Sequence, residues 1–223
     1  MPEFPIIYYS TLLIGGIVTT LNPLYTVDEI SHQLRDAGAT SIITIPPFAE
    51  KAKQSATNVA INTVYVVGEA ENFESLSSLL EDKGEEFPEN VEINPKEDVA
   101  CLPYSSGTTG APKGVMLTHY NLIAEASIVT HDSFMFNNDE PVVLGLLPFF
   151  HIFGQIISMS CALYKGGTVV CVPKFEPDSF LKVIQDYKVC GVPSFLSSIL
   201  TNLVPSFINT LPDSSPVPLL VSF

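Results

Sequence analysis

The sequence predicts an α/β protein with parallel-rich sheets covered by helices, and three observations carry that prediction. Short β-rich runs alternate with helical stretches at close intervals, which is the pattern of βαβ units. Of the 223 residues 46% are hydrophobic and 15% charged, against roughly 25% charged in an ordinary domain. A chain that apolar has ample material for a buried core and resembles the interior of something larger. Third, a loop rich in glycine and hydroxyls lies between two short apolar runs. That framing places the loop at a sheet edge or strand end, where α/β proteins bind ligands.

In order, residues 4–16 read as an apolar helix and 17–21 as a short strand ended by Asn22-Pro23. Thr26-Val-Asp-Glu29 matches a capping box and opens an amphipathic helix that stops at Gly38. Residues 41–45 are β-rich up to the Pro46-Pro47 break, a polar helix runs through Lys51 and Lys53, and 63–67 form a strand. The segment 69–98 is acidic, with eleven acids against two lysines, and holds one short helix near 76–80. Residues 99–102 are a strand, and Thr118 is the expected N-cap of a helix through 129. Further on come a buried strand at 142–146, a helix at 155–164 closed by Gly166-Gly167, and a strand at 168–172. A helix at 178–187 puts Leu181 and Ile184 on one face, and a strand stub at 189–192 and a helix at 195–203 follow.

The formal charge of −14 argues against a nucleic-acid backbone as ligand. An acidic run such as 69–98 reads as a solvated face with no protein partner implied. Cys101, Cys161, Cys171 and Cys190 form no C-x-x-C pair and no zinc-like spacing, so they read as buried thiols in a reducing compartment. The apolar stretch 6–21 lacks a basic flank and is interrupted by Ser10, Thr11, Gly15, Gly16, Thr19 and Thr20, so no membrane span or signal is expected there.

The chemistry concentrates in Tyr104-Ser-Ser-Gly-Thr-Thr-Gly-Ala-Pro-Lys-Gly-Val115. Glycines let backbone N–H groups approach an oxyanion closely. Ser105, Ser106, Thr108 and Thr109 add hydroxyl donors, and Lys113 adds the local positive charge. Phosphate is the natural guest. The Walker pattern places lysine directly after its second glycine, whereas here Ala111 and Pro112 intervene before Lys113. The loop is therefore a phosphate cradle of another lineage.

Those twelve residues, continued by Met-Leu-Thr-His-Tyr-Asn-Leu, resemble the phosphate-binding signature of the AMP-forming adenylating enzymes. That superfamily includes acyl- and aryl-CoA synthetases, 4-coumarate–CoA ligases and beetle luciferases. A second stretch similar to a family motif, Leu147-Pro-Phe-Phe-His-Ile-Phe-Gly154, follows at the family's distance. The resemblance covers nearly the whole chain and implies part of the large N-terminal domain of an adenylate-forming enzyme, residues 1–223 being one partial adenylation domain with the acidic segment 69–98 inside it.

It further implies an ATP-dependent acid–thiol ligase that forms an acyl-adenylate and then an acyl-CoA, with ATP, Mg2+ and coenzyme A as the small molecules used beside a carboxylic acid. By the same resemblance Ser105, Ser106, Gly107, Thr108, Thr109, Gly110 and Lys113 hold the phosphates. His151 faces the acyl or aryl group, Phe153 lines that pocket, and Lys174 lies near the CoA thiol. Read without it, Lys113 and Lys174 are ordinary surface lysines and His151 is a hydrogen-bonded core histidine. His32, His119 and His131 form no constellation, and His119 is taken as structural.

The resemblance also implies groups outside these residues: upstream strands, an aromatic-Gly-x-Thr-Glu motif, a ribose-binding aspartate, and a small C-terminal domain with the adenylation lysine. No catalytic residue is assigned here, and little or no turnover is expected of the chain alone. A non-catalytic phosphate- or nucleotide-binding role and a luciferase-like oxygenase are the alternatives. The expected compartment is cytoplasmic or peroxisomal.

Overall fold

The computed structural model describes residues 1–105, 112–131, 136 and 139–190. The chain divides into two compact units, Met1–Asn121 and Leu122–Phe223.

In the first unit, α1 (Glu3–Leu13) buries Tyr8 and Leu12. The amphipathic α2 (Val27–Asp36) begins at Thr26, whose side chain accepts from Glu29 N–H while the Glu29 carboxylate accepts from Thr26 N–H. It ends before Gly38, which adopts φ +62°. β1 (Ser41–Thr44) leads through a 3-10 turn, Pro46–Phe48, into α3 (Ala49–Thr57). Small residues on α3, Ala52, Ser55 and Ala56, are buried, and the Ser31 hydroxyl on α2 donates to the Ser55 carbonyl at 3.4 Å. β2 (Thr63–Val66) pairs parallel with β1 and with β3 (Glu74–Ser75) on its other side. Ile30, Leu34, Ile42, Ala52, Ala56 and Ile61 form the core between helices and sheet. The short α4 (Ser77–Leu80) follows, and the rest of the acidic segment is largely exposed.

β4 (Val99–Cys101) opens the functional stretch, followed by β5 (Tyr104–Ser105), β6 (Lys113–Gly114) and β7 (Leu117–Thr118). β5 pairs with β6 and β4 with β7, both antiparallel. These antiparallel pairs stand beside the parallel ones for a physical reason. Residues 106–112 are too few for the crossover of about a dozen residues that a parallel return requires.

The second unit begins within α5 (His119–Thr130), which buries Ala126 and Thr130. Its N-terminus carries a capping box in which Asn121 replaces glutamate: Asn121 N–H donates to the Thr118 hydroxyl at 3.2 Å and Thr118 N–H to Asn121 Oδ1 at 3.0 Å. β8 (Val142–Gly145) pairs parallel with β9 (Thr168–Cys171). Between them lie a π-helical segment, Gly154–Ser160, and α6 (Cys161–Tyr164). α7 (Pro177–Tyr187) closes the described part, with Phe180 buried against Leu144, Val172 and Val189, and Leu181 and Ile184 packed on that cluster as the periodicity predicts.

Several expectations change. The strand at 17–21 is a single parallel bridge, Val18 to Cys101. The Thr19 hydroxyl donates to the Leu102 carbonyl at 2.8 Å, occupying an acceptor that a continuing ladder would use. The helix expected over 155–164 starts with π geometry. Val189 and Cys190 are not strand, although Cys190 N–H donates to the Val142 carbonyl at 2.9 Å. The helix expected at 195–203 lies outside the described residues. Of the four thiols Cys101 and Cys161 are buried, whereas Cys171, at the end of β9, and Cys190 are exposed. Among the described residues no helix is long and apolar enough to cross a membrane.

Candidate phosphate-gripping hairpin and acyl-side motif

The first candidate site is the hairpin tip carried by β5 and β6. Antiparallel pairing sets Ser105 directly opposite Lys113, so a hydroxyl and an ammonium stand side by side at the mouth of the loop, both exposed. Ser106, Gly107, Thr108, Thr109 and Gly110 lie outside the described residues. Among the described residues the only ion pair is Lys174–Glu176, so no carboxylate of that set neutralises Lys113. The loop itself carries no acid. An uncompensated cation beside hydroxyl donors suits an anion with several oxygens.

The base of the hairpin is fixed from below. Val115 N–H donates to the Pro103 carbonyl at 2.9 Å, extending the β5–β6 pairing. The Tyr104 ring lies across Gly114, where a Cβ would come within 3.1 Å of ring carbons. The Tyr104 hydroxyl donates to Asp36 Oδ2 on α2 at 2.5 Å. Burial, followed by the bond to Asp36, holds the phenol proton well above the ordinary tyrosine range. On the other side of Pro103, buried Gln33 donates to the Thr19 hydroxyl at 2.9 Å, and that hydroxyl donates to the Leu102 carbonyl. Beyond the hairpin His119 N–H donates to the Asp98 carbonyl at 3.4 Å.

The second candidate site belongs to the other unit. His151 and Lys174 each follow the carboxyl end of one of two paired parallel strands, β8 and β9, the end at which such sheets receive ligands. His151 is exposed, which removes the core-histidine reading. Its Nδ1 accepts from Phe153 N–H at 3.3 Å, so the imidazole caps the helix that follows and, when neutral, carries its proton on Nε2. His151 N–H donates to the Pro148 carbonyl at 3.1 Å, and that same oxygen lies 2.3 Å from where a Cβ on Gly154 would be. The motif is thus a tight turn that only glycine at 154 closes. Phe153 is half-buried beside His151. The Lys174 side chain is 80% exposed and pairs with Glu176 at 3.2 Å. Sequence reasoning missed Asp36 and gave Tyr104 no task. A carboxylate in the last turn of a helix, opposed to the dipole, was the available signal.

No three or more His, Cys, Asp or Glu side chains stand together as a metal site among the described residues. The hairpin offers hydroxyls and an ammonium, which do not make a cation site by themselves.

Comparison with known proteins gives a consistent picture. A family model described as AMP-binding enzyme matches residues 1–216. The chain is 35% identical over 207 residues to a probable 4-coumarate–CoA ligase 1 of Dictyostelium discoideum, covering 85% of this chain and 37% of that protein. It is 32% identical to a long-chain-fatty-acid–CoA ligase of Bacillus subtilis, covering 89% of this chain and 41% of that one. Among solved structures it is similar to ATP-bound MatB of Rhodopseudomonas palustris, with a TM-score of 0.69 and 28% identity over 83% of this chain and 36% of that one. The luciferase-like enzyme of the mealworm Zophobas morio shares the fold, with a TM-score of 0.71 and 21% identity over 85% of this chain and 44% of that one. The chain therefore spans 37 to 41% of the length of these two ligases.

Proposed function

Because the chain belongs to the AMP-binding enzyme family, we propose that it supplies the phosphate grip and the acyl-side turn of an ATP-dependent, AMP-forming acid–CoA ligase. In that reaction a carboxylate oxygen attacks the α-phosphorus of ATP and pyrophosphate leaves. The CoA thiol then takes the acyl group and releases AMP. Charge builds on the departing pyrophosphate, and donors already oriented toward it lower the barrier. Ser105 and Lys113, paired across the hairpin, are such donors, and Ser106, Gly107, Thr108, Thr109 and Gly110 lie between them in the sequence.

His151 and Phe153 face the acyl or aryl group in this reading. The observation in support is the Phe153 N–H bond to Nδ1, which fixes the imidazole plane and leaves Nε2 as its outward donor. Lys174 stands on the neighbouring strand's outlet, toward CoA. Magnesium, held by the ATP phosphates, would supply charge neutralisation there. Fatty and aryl acids are the substrate classes, in a cytoplasmic or peroxisomal setting.

The single observation that carries this reading is the Ser105–Lys113 pairing, with a cation among hydroxyls and no described carboxylate against it. Calorimetric titration of the full chain with ATP, pyrophosphate and AMP tests it. Binding of the two polyphosphates is the expected result, and absence of all phosphate binding by the folded chain overturns it. A second reading is a phosphate- or nucleotide-binding role without turnover. Pyrophosphate release with a panel of fatty and aryl acids is expected to be little or none for these residues alone, and robust release overturns the second reading.

A further inference from the structure

We propose that Tyr104 and Asp36 are positioning residues, whose hydrogen bond ties the base of the phosphate-gripping hairpin to the last turn of α2 and sets the hairpin's affinity for pyrophosphate. The proposal rests on the phosphate reading of the hairpin and adds what holds it in shape.

The β5–β6 ladder is two residue pairs long, Tyr104 with Gly114 and Ser105 with Lys113. A pairing so short is marginal without support from outside. The support comes from a residue 68 positions away, through the Tyr104 hydroxyl on Asp36 Oδ2. Asp36 is oddly placed for any other purpose. It occupies the C-terminal end of α2, where the helix dipole disfavours a negative charge. Its neighbour Arg35 does not neutralise it, since that guanidinium donates to the Asn58 carbonyl at 3.3 Å. No described cation pairs with Asp36, and its described hydrogen-bond partner is Tyr104. A carboxylate kept there gains most from a donor aimed at it, which the phenol is.

Tyr104 transmits the constraint to the loop in two ways. Its backbone is the β5 residue beside Ser105, and its ring covers Gly114, the residue after Lys113, closely enough that a Cβ there would lie 3.1 Å away. Anchoring the hydroxyl therefore fixes the ring, and the ring fixes Gly114 and with it the Lys113 backbone. The same helix grips the approach to the hairpin through Gln33, Thr19 and the Leu102 carbonyl. Without the Asp36 bond the ring pivots, and Ser105 and Lys113 lose their mutual register before any anion arrives. The ordering cost is then added to binding.

The test uses the full chain and inorganic pyrophosphate, with affinity by calorimetry and folding by thermal melting followed by circular dichroism. Tyr104→Phe keeps the ring and removes the donor. Asp36→Ala removes the acceptor, and Asp36→Asn keeps an acceptor oxygen. Lys113→Ala reports on the grip itself, and Asp28→Asn on the first turn of α2 controls for loss of a negative charge. Tyr104→Phe and Asp36→Ala are each expected to weaken pyrophosphate binding about three- to tenfold. The double variant should be no weaker than the worse single one, because both remove one interaction, and Asp36→Asn should recover most of the loss. Asp28→Asn should bind as wild type. Wild-type affinity in Tyr104→Phe and Asp36→Ala beside a loss in Lys113→Ala overturns the anchor and leaves the phosphate reading intact, even if their melting temperatures fall. Additive losses in the double variant overturn it as well. A folded wild-type chain that ignores pyrophosphate overturns the phosphate reading itself.

Discussion

At Gly154 a Cβ would sit 2.3 Å from the Pro148 carbonyl oxygen, and that oxygen already accepts from His151 N–H. Even alanine must push the turn open, and the imidazole moves with it. Overpacking of this kind costs about 1–3 kcal/mol. Gly154→Ala is therefore expected to lower the melting temperature by several degrees and to lose the Phe153 N–H bond to His151 Nδ1. Proton NMR of the Phe153 amide checks the second effect, and an unshifted amide would contradict it. The motif residues were legible one by one, because His151, Phe153 and Gly154 stand within four residues of one another. That His151 is exposed was not legible: its apolar neighbours suggested a core position, whereas the turn swings the ring out to cap the next helix. The exposure of Cys171 and Cys190 escaped for a similar reason, since tertiary neighbours and not local hydropathy decide it.

Among the elements, α2 carries both local and long-range information. Its start was readable because Thr26 and Glu29 stand at capping-box spacing, and the reciprocal bonds are present. Glu29 is held below the ordinary carboxylate range by the Thr26 N–H first and the Thr26 hydroxyl second. A carboxyl whose folded value is depressed stabilises above its unfolded pKa and loses that contribution as pH falls through the folded value. Thr26→Ala is expected to cost about 1 kcal/mol at neutral pH. The gap from wild type should narrow in acid, below the ordinary carboxylate range. Urea melts at neutral and acidic pH check this, and a gap independent of pH contradicts it. Other elements were not readable. β5 and β6 pair through only two residues each, the bridge at Val18 is cut short by the Thr19 hydroxyl, and the helix at 155–164 was read without its π-helical start at Gly154–Ser160.

For the molecule as a whole, the α/β class and its parallel pairs were legible from alternation alone, and β1–β2 and β8–β9 bear this out. The candidate phosphate site was legible as a composition, while what holds it was not, because Asp36 and Tyr104 are brought together only by the fold. A chain with a formal charge of −14 repels anions at long range. Any polyphosphate it binds must be drawn by a local arrangement, and Lys113 is the cation of the 104–115 loop. Pyrophosphate and AMP, titrated into wild type and Lys113→Ala under one buffer, therefore test the phosphate grip itself. Wild type is expected to bind pyrophosphate more tightly than AMP, and Lys113→Ala to weaken pyrophosphate about tenfold or more while AMP changes little. Equal affinity for the two ligands, or undiminished pyrophosphate binding without the lysine, would contradict it.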